Sequence, residues 1–161
     1  MKARLIFILL IVVAVLFAVT FSIDSISGYK SALAALSEAE KEVARLETRY
    51  ANLLKQDAAL PSQVLDAIAN HQAATNGASR RSSFDALEVL GQQYALETYS
   101  AENPVQRRLT DELAGALNRR TIAMQRYSEL LNECNHFAAS TQGSWAQLIS
   151  GFPKRCDEAR E

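Results

Sequence analysis

From Leu5 to Ile23 the chain runs 19 residues without a charge, and only Thr20 and Ser22 interrupt its apolar character. No other stretch restricts the fold as much. As a helix it reaches roughly 28 Å at about 1.5 Å per residue, close to a bilayer core of about 30 Å. A cleaved signal peptide is the competing reading. It would show an apolar core of about 7–15 residues followed by a small-x-small cleavage site. Here the run is longer, and Ala18-Val19-Thr20 and Ser25-Ile26-Ser27 are poor sites. No Cys follows at a position suited to a lipid anchor. The run therefore reads as an uncleaved signal-anchor that places the chain in a membrane, with the lipid bilayer as its first partner.

Flanking charge sets the expected orientation. The N-terminal side carries Lys2, Arg4 and the α-amino group, whereas the far side offers Asp24 and then Lys30. Positive charge stays on the cytoplasmic side. The expectation is residues 1–4 in the cytoplasm, a span over 5–23, and the remainder outside, periplasmic if the membrane is a bacterial inner membrane. The alternative topology leaves the remainder cytoplasmic.

Beyond the span, Ala, Leu, Glu, Gln and Arg dominate, and Gly and Pro are sparse, which favours helix almost throughout. Residues 24–30, including Gly28, read as a juxtamembrane joint. Leu36, Ala39, Val43, Leu46, Tyr50 and Leu53 recur at 3-4-3-4-3 spacing, a coiled-coil-like seam that faces a helical partner. Glu38, Glu40, Lys41, Glu42, Arg45 and Glu47 fill the other positions and read as a solvated face. This helix is expected to run to about Ala59. Pro61 suits the first turn of a second helix with Val64, Leu65 and Ile68 inward, up to about Ala74. Thr75–Ser79 reads as a loop. A third helix is expected over Ser83–Tyr99 with Phe84, Leu87, Leu90, Tyr94 and Leu96 inward, then a turn at Ala101–Pro104. The fourth, Val105–Ser140, carries a seam of Leu113, Leu117, Arg120, Met124, Tyr127, Leu131, Cys134 and Ala138. Arg120 is the odd member, and a carboxylate of helix one or three is its expected partner. The fold class is thus all-α: a single N-terminal transmembrane helix, then an antiparallel four-helix bundle over 31–140, then a C-terminal apolar segment and tail over 141–161.

The residues offer no catalytic constellation. His71 and His136 lie far apart and outside any metal-binding helical motif. There is no G-x-S-x-G elbow, and Gly77–Arg81 lacks the Lys-Ser/Thr end of a phosphate loop. Glu133-x-x-His136 is a single copy where a di-metal bundle needs two. Cys134, His136 and Cys156 are a weak zinc set. No cofactor and no enzymatic activity are expected. Net charge is −1, without the basic excess of a nucleic-acid binder. The cysteine pair says more. In an extracytoplasmic domain an even count favours a disulfide. Cys134, near the end of helix four, and Cys156, past a turn near Gly143, would come together if the chain reverses there. The alternative is a buried Cys134 in the seam and a free, exposed Cys156.

A set of positions resembles the C-terminal half of the LemA family: Glu112-Leu113-Ala114-Gly115, Asn118-Arg119, Arg126-Tyr127, Asn135, Gly143 and Gly151-Phe152-Pro153-Lys154-Arg155. Leu60-Pro61 with Val64 is similar to a further, looser motif. The chain departs where Leu117 replaces Glu, where Tyr127-Ser128 and Cys134-Asn135 replace two Tyr-Asn pairs, where Lys55–Ala58 lacks the usual paired Arg, and where Gln142 replaces Pro. It resembles a divergent or shortened member. The resemblance implies a membrane-anchored helical bundle without established enzymatic activity.

These features favour a non-enzymatic interaction module, an accessory subunit or scaffold of a membrane assembly, with a protein partner or a second copy against the first helix. The alternative is a lipid- or small-ligand-binding envelope module with a pocket lined by Tyr94, Met124, Tyr127 and Leu131. The segment Gln142–Phe152 holds the only Trp. Gly143 reads as a helix stop. Trp145, Leu148, Ile149 and Phe152 fall on one side of a short helix. That side either caps the open end of the bundle or lies in the headgroup layer, where Trp is favoured. Capping is the first expectation.

Overall fold

The computed structural model describes residues 2–57, 59–98 and 103–157. They form five helices: α1 (Lys2–Leu54), α2 (Ser62–Ala73), α3 (Gly77–Thr98), α4 (Pro104–Ala139) and α5 (Thr141–Ser150). Among the described residues there is no strand, so the class is all-α. The chain divides into two compact units, Met1–Glu40 with Gln125–Glu161, and Lys41–Met124. Both α1 and α4 supply residues to each unit.

In the first unit, α1 carries the apolar run, and none of its most apolar window is buried in protein. The polar atoms of that region are satisfied within the helix. Thr20 Oγ1 lies 3.1 Å from Leu16 O, Ser22 Oγ donates to Ala18 O at 2.7 Å, and Ser25 Oγ donates to Phe21 O at 2.7 Å. In lipid such back-bonding leaves no unsatisfied hydroxyl.

No joint interrupts α1 at 24–30, contrary to the sequence expectation; the helix continues through Ser25, Gly28 and Tyr29. Gly28 is a packing notch here. A Cβ at this position would lie 2.9 Å from Phe137 Cζ. Helical backbone at Gly costs about 1 kcal/mol relative to Ala, which close packing against α4 offsets.

The second unit has one core, to which four helices contribute. Tyr50, Ala51, Leu53 and Leu54 come from α1, Val64, Ala67 and Ile68 from α2, Phe84, Leu87 and Tyr94 from α3, and Leu113 and Ala116 from α4. Rings meet edge to face, with Tyr50 and Phe84 centroids 5.6 Å apart. Gly91 belongs to this packing, because a Cβ there would collide with the Tyr50 hydroxyl and lie 3.1 Å from Leu54 Cδ1.

Several boundaries and orientations differ from expectation. Helix α1 ends at Leu54 rather than about Ala59, and Asp57 instead accepts from the Ala59 N–H at 3.0 Å in a local turn. Helix α3 begins at Gly77, so the preceding loop is short; Asn76 caps it by accepting from Ser79 N at 2.8 Å. Leu65 and Leu96 are exposed, not inward. The buried stripe of α2 runs through Val64, Ala67, Ile68 and His71, where a small and a polar residue complete the helical period. Tyr99 and residues 101–102 of the expected turn lie outside the described residues. Asn103 caps α4, its Oδ1 accepting from Val105 N at 3.0 Å.

Candidate functional site

Two clusters concentrate the polar and aromatic chemistry, one in each unit. In the second unit the centre is Glu47, only 1% exposed. The sequence placed it on a solvated face. It lies instead on a second buried stripe of α1 with Ala51 and Leu54, beside the predicted seam. A helix with neighbours on two sides buries more than a two-position seam. Ala51 and Leu54, four and seven residues on from Glu47, were the available signal.

Three side chains face the Glu47 carboxylate. Arg80 Nε donates to Oε2 at 3.2 Å, while Arg80 Nη2 donates to Ala44 O at 3.3 Å. Arg120 Nη2 donates to Oε1 at 3.3 Å. His71 Nε2 stands 3.9 Å from Oε2. Arg120, with its side chain 12% exposed, also pairs with Asp85 and Glu88 of α3 at 3.6 Å each, and its guanidinium lies 4.3 Å over the Phe84 ring. This matches the sequence expectation that Arg120 meets carboxylates of helices one and three. Its Nε has no hydrogen-bond partner among the described residues. Ser83 donates to Arg80 O at 2.9 Å, so its oxygen serves as acceptor for His71 Nδ1 at 3.3 Å. Burial pushes the His71 pKa down, against the opposing pull of Glu47.

The cluster is a closed exchange of charge. Every acceptor of Glu47 is already met by a cation, and the cations come from α3 and α4. It can fix the register of the helices; it presents no activated nucleophile.

Further along the second unit, the Tyr94 hydroxyl donates to Asp57 Oδ2 at 2.6 Å. That bond, with the Ala59 N–H, holds the Asp57 carboxyl below its usual range. Burial first, then Asp57, pushes the Tyr94 hydroxyl up to about 12. Tyr94 is thus engaged in the core of the second unit. A groove of about 770 Å³ lies along α1, with Lys41, Arg45, Arg49, Arg80 and Glu112 on its walls.

In the first unit the C-terminal segment packs on the middle of α1, at Phe21 and Tyr29, and on the end of α4. Cys134 and Cys156 are joined, with Cα atoms 6.1 Å apart, and they close a loop across 22 residues. A bonded pair is unavailable as zinc thiolates, and among the described residues no group of three or more His, Cys, Asp or Glu is placed to hold a metal. Around the disulfide, Asn135 Oδ1 accepts from Cys156 N at 2.8 Å, and the Tyr29 hydroxyl donates to Pro153 O at 2.5 Å. Phe152 stacks on Tyr29, with centroids 4.6 Å apart and planes within 3°.

Gly143 does not stop a helix, contrary to expectation. It lies in the first turn of α5, and its N–H is capped by Ser140 Oγ at 3.1 Å. The stop is Gly151, whose φ of 66° is the left-handed conformation suited to glycine. The face of α5 that packs is built of Gly143 and Ala146, both buried. A Cβ at Gly143 would meet the Phe137 carbonyl and lie 2.7 Å from Ala138 Cα. Gln147 Nε2 donates to Ala138 O at 2.8 Å and fastens the same face.

The large residues point the other way. Trp145, Leu148 and Ile149 are 38%, 77% and 48% exposed. The capping expectation therefore fails for Leu148 and Ile149, because small side chains permit the close approach to α4 and these large ones are left on the opposite stripe, whereas Trp145 is partly covered by Phe21 and Ser22 of α1. Phe152 lies past the Gly151 turn and leaves that stripe for Tyr29.

No protein-family model, no curated protein sequence and no solved structure matches the chain.

Proposed function

We propose that the protein is a single-pass, membrane-anchored interaction module, a non-enzymatic accessory subunit or scaffold that holds a helical bundle beside a membrane. The observation that carries this reading is the most apolar window of α1, none of it buried in protein, in a helix of a length suited to a bilayer. The chemistry of the rest supports it. The buried charges are committed to one another, and Tyr94 is committed to Asp57. The bundle is read as the four-helix, antiparallel type, and the residue pattern at Glu112–Gly115 and Gly151–Arg155 as that of a divergent LemA-like chain.

The N-terminus is read as cytoplasmic and the bundle as periplasmic. The Cys134–Cys156 bond supports that side, since disulfides persist in oxidising compartments. Crosslinking in native membranes, followed by affinity purification from detergent, tests the proposal. A discrete partner or a second copy crosslinked through the bundle supports it. A chain that stays monomeric and retrieves nothing above an unrelated anchored control rejects it.

A further inference from the structure

The outward stripe of α5 needs an occupant, and its position on the fold names one. Trp145 Nε1 donates to Ser22 Oγ at 2.9 Å. Ser22 is in the last turn of the apolar run, and its own proton goes to Ala18 O. The hydroxyl is thus satisfied in both directions, and so is the indole N–H. The Trp145 ring is left with no polar atom to hydrate. It also meets Phe21 edge to face at 6.3 Å, and Phe21 stacks on Phe17 at 6.3 Å. An aromatic column therefore leads from inside the span onto α5. Leu148 and Ile149 follow on the same side of α5, one turn further along.

We infer that α5 is a second membrane contact: it lies in the interfacial layer of the bilayer that α1 crosses, with Trp145, Leu148 and Ile149 in lipid and Gly143 and Ala146 against α4. The inference rests on the anchor reading above. Continuity with the span selects lipid as the occupant over a protein groove. The stripe begins at the level where the apolar run ends, which is where Trp partitions. An interfacial helix has an apolar face on one side and low overall hydrophobicity. Here the opposite face is occupied by the protein itself, so α5 works as a foot that fixes how α4 ends at the membrane surface.

Trp145 is the only Trp, so its emission reports this site without labelling. The full chain is reconstituted into phosphatidylcholine vesicles with and without brominated acyl chains, and vesicle flotation is read on the same sample. The inference predicts that brominated lipid removes most of the Trp145 emission while aqueous iodide has little effect. Leu148→Trp in a Trp145→Phe background reports the far end of the stripe, away from α1, and is predicted to behave alike. Chain that floats while the position-148 emission ignores brominated lipid and yields to iodide overturns the seating of α5 and leaves the anchor intact. Protection from both quenchers means a protein cover, such as a second copy, and overturns it too. Chain that fails to float overturns the anchor, and the α5 contact with it.

Discussion

Replacing Glu47 with Gln tests whether the buried charge cluster is the keystone of the second unit. The substitution keeps shape and one acceptor oxygen and removes the charge. Arg120, whose side chain is 12% exposed, then loses the carboxylate at 3.3 Å, and the half-exposed Arg80 loses the same carboxylate at 3.2 Å. Breaking a buried pair from one side costs about 3–5 kcal/mol, most of it the uncompensated charge left behind. The lower end applies, because Gln still accepts a hydrogen bond and Arg120 keeps Asp85 and Glu88 at 3.6 Å. The expected loss is about 3 kcal/mol, a fall in Tm of roughly 12–24 °C for a unit of this size. The assay is thermal unfolding of the full chain in mild detergent, followed by helical circular dichroism. Glu42→Gln, on the exposed face of α1, is the control and should move stability by no more than about 0.5 kcal/mol. Glu47→Met with Arg120→Met should recover part of the loss, since it removes the buried Arg120 charge along with Glu47 and leaves only Arg80, which is 37% exposed. If Glu47→Gln unfolds with Glu42→Gln, the carboxylate is not buried between cations and the argument is wrong.

Three further outcomes follow from the same structure. Opening the Cys134–Cys156 bond, by reductant or by Cys156→Ser, should lower the stability of the first unit by about 3 kcal/mol, from the entropy of a loop of 22 residues, read as a denaturant midpoint; an unchanged midpoint contradicts it. Gly143→Val should lift α5 from α4, because its side chain falls on Phe137 O and Ala138, and raise hydrogen exchange across Thr141–Ser150, whereas Ser144→Ala should not; equal exchange in the two variants refutes the close packing. The folded His71 pKa lies below its ordinary 6.5, so the folded state prefers neutral imidazole. That preference is present in full above about 6.5 and is lost as pH falls through the lowered folded value. His71→Gln should flatten this part of the stability profile, and an unaltered slope in the variant counts against it.

The physical origin of each feature decided whether it could be read from the sequence. The long apolar helix was legible because 19 uncharged residues admit few solutions. The seam of α1 was legible because Val43, Leu46, Tyr50 and Leu53 are large, apolar and regularly spaced. Arg120 announced a partner by being the wrong residue for its place. Glu47 did not, because a glutamate on a helix rich in Glu looks solvated until a second packing surface is known. Gly28 and Gly143 were misread for one reason. Glycine marks both flexible backbone and close approach, and only the neighbour, Phe137 in each case, tells the two apart. The sequence left two readings open for α5, and the first of them took its large residues as the packing face, while Gly143 and Ala146 make that face.

The claim beneath all of this is that α1 stays on the chain and holds it in the membrane. Intact mass of the protein recovered from membranes washed with alkaline carbonate tests that most directly. The account predicts a carbonate-resistant species whose mass still includes the apolar run from Leu5 to Ile23 and is two hydrogens short for the disulfide. A soluble species that begins just after the apolar run would show a cleaved signal instead, and would contradict the anchor and the lipid contact of α5 together.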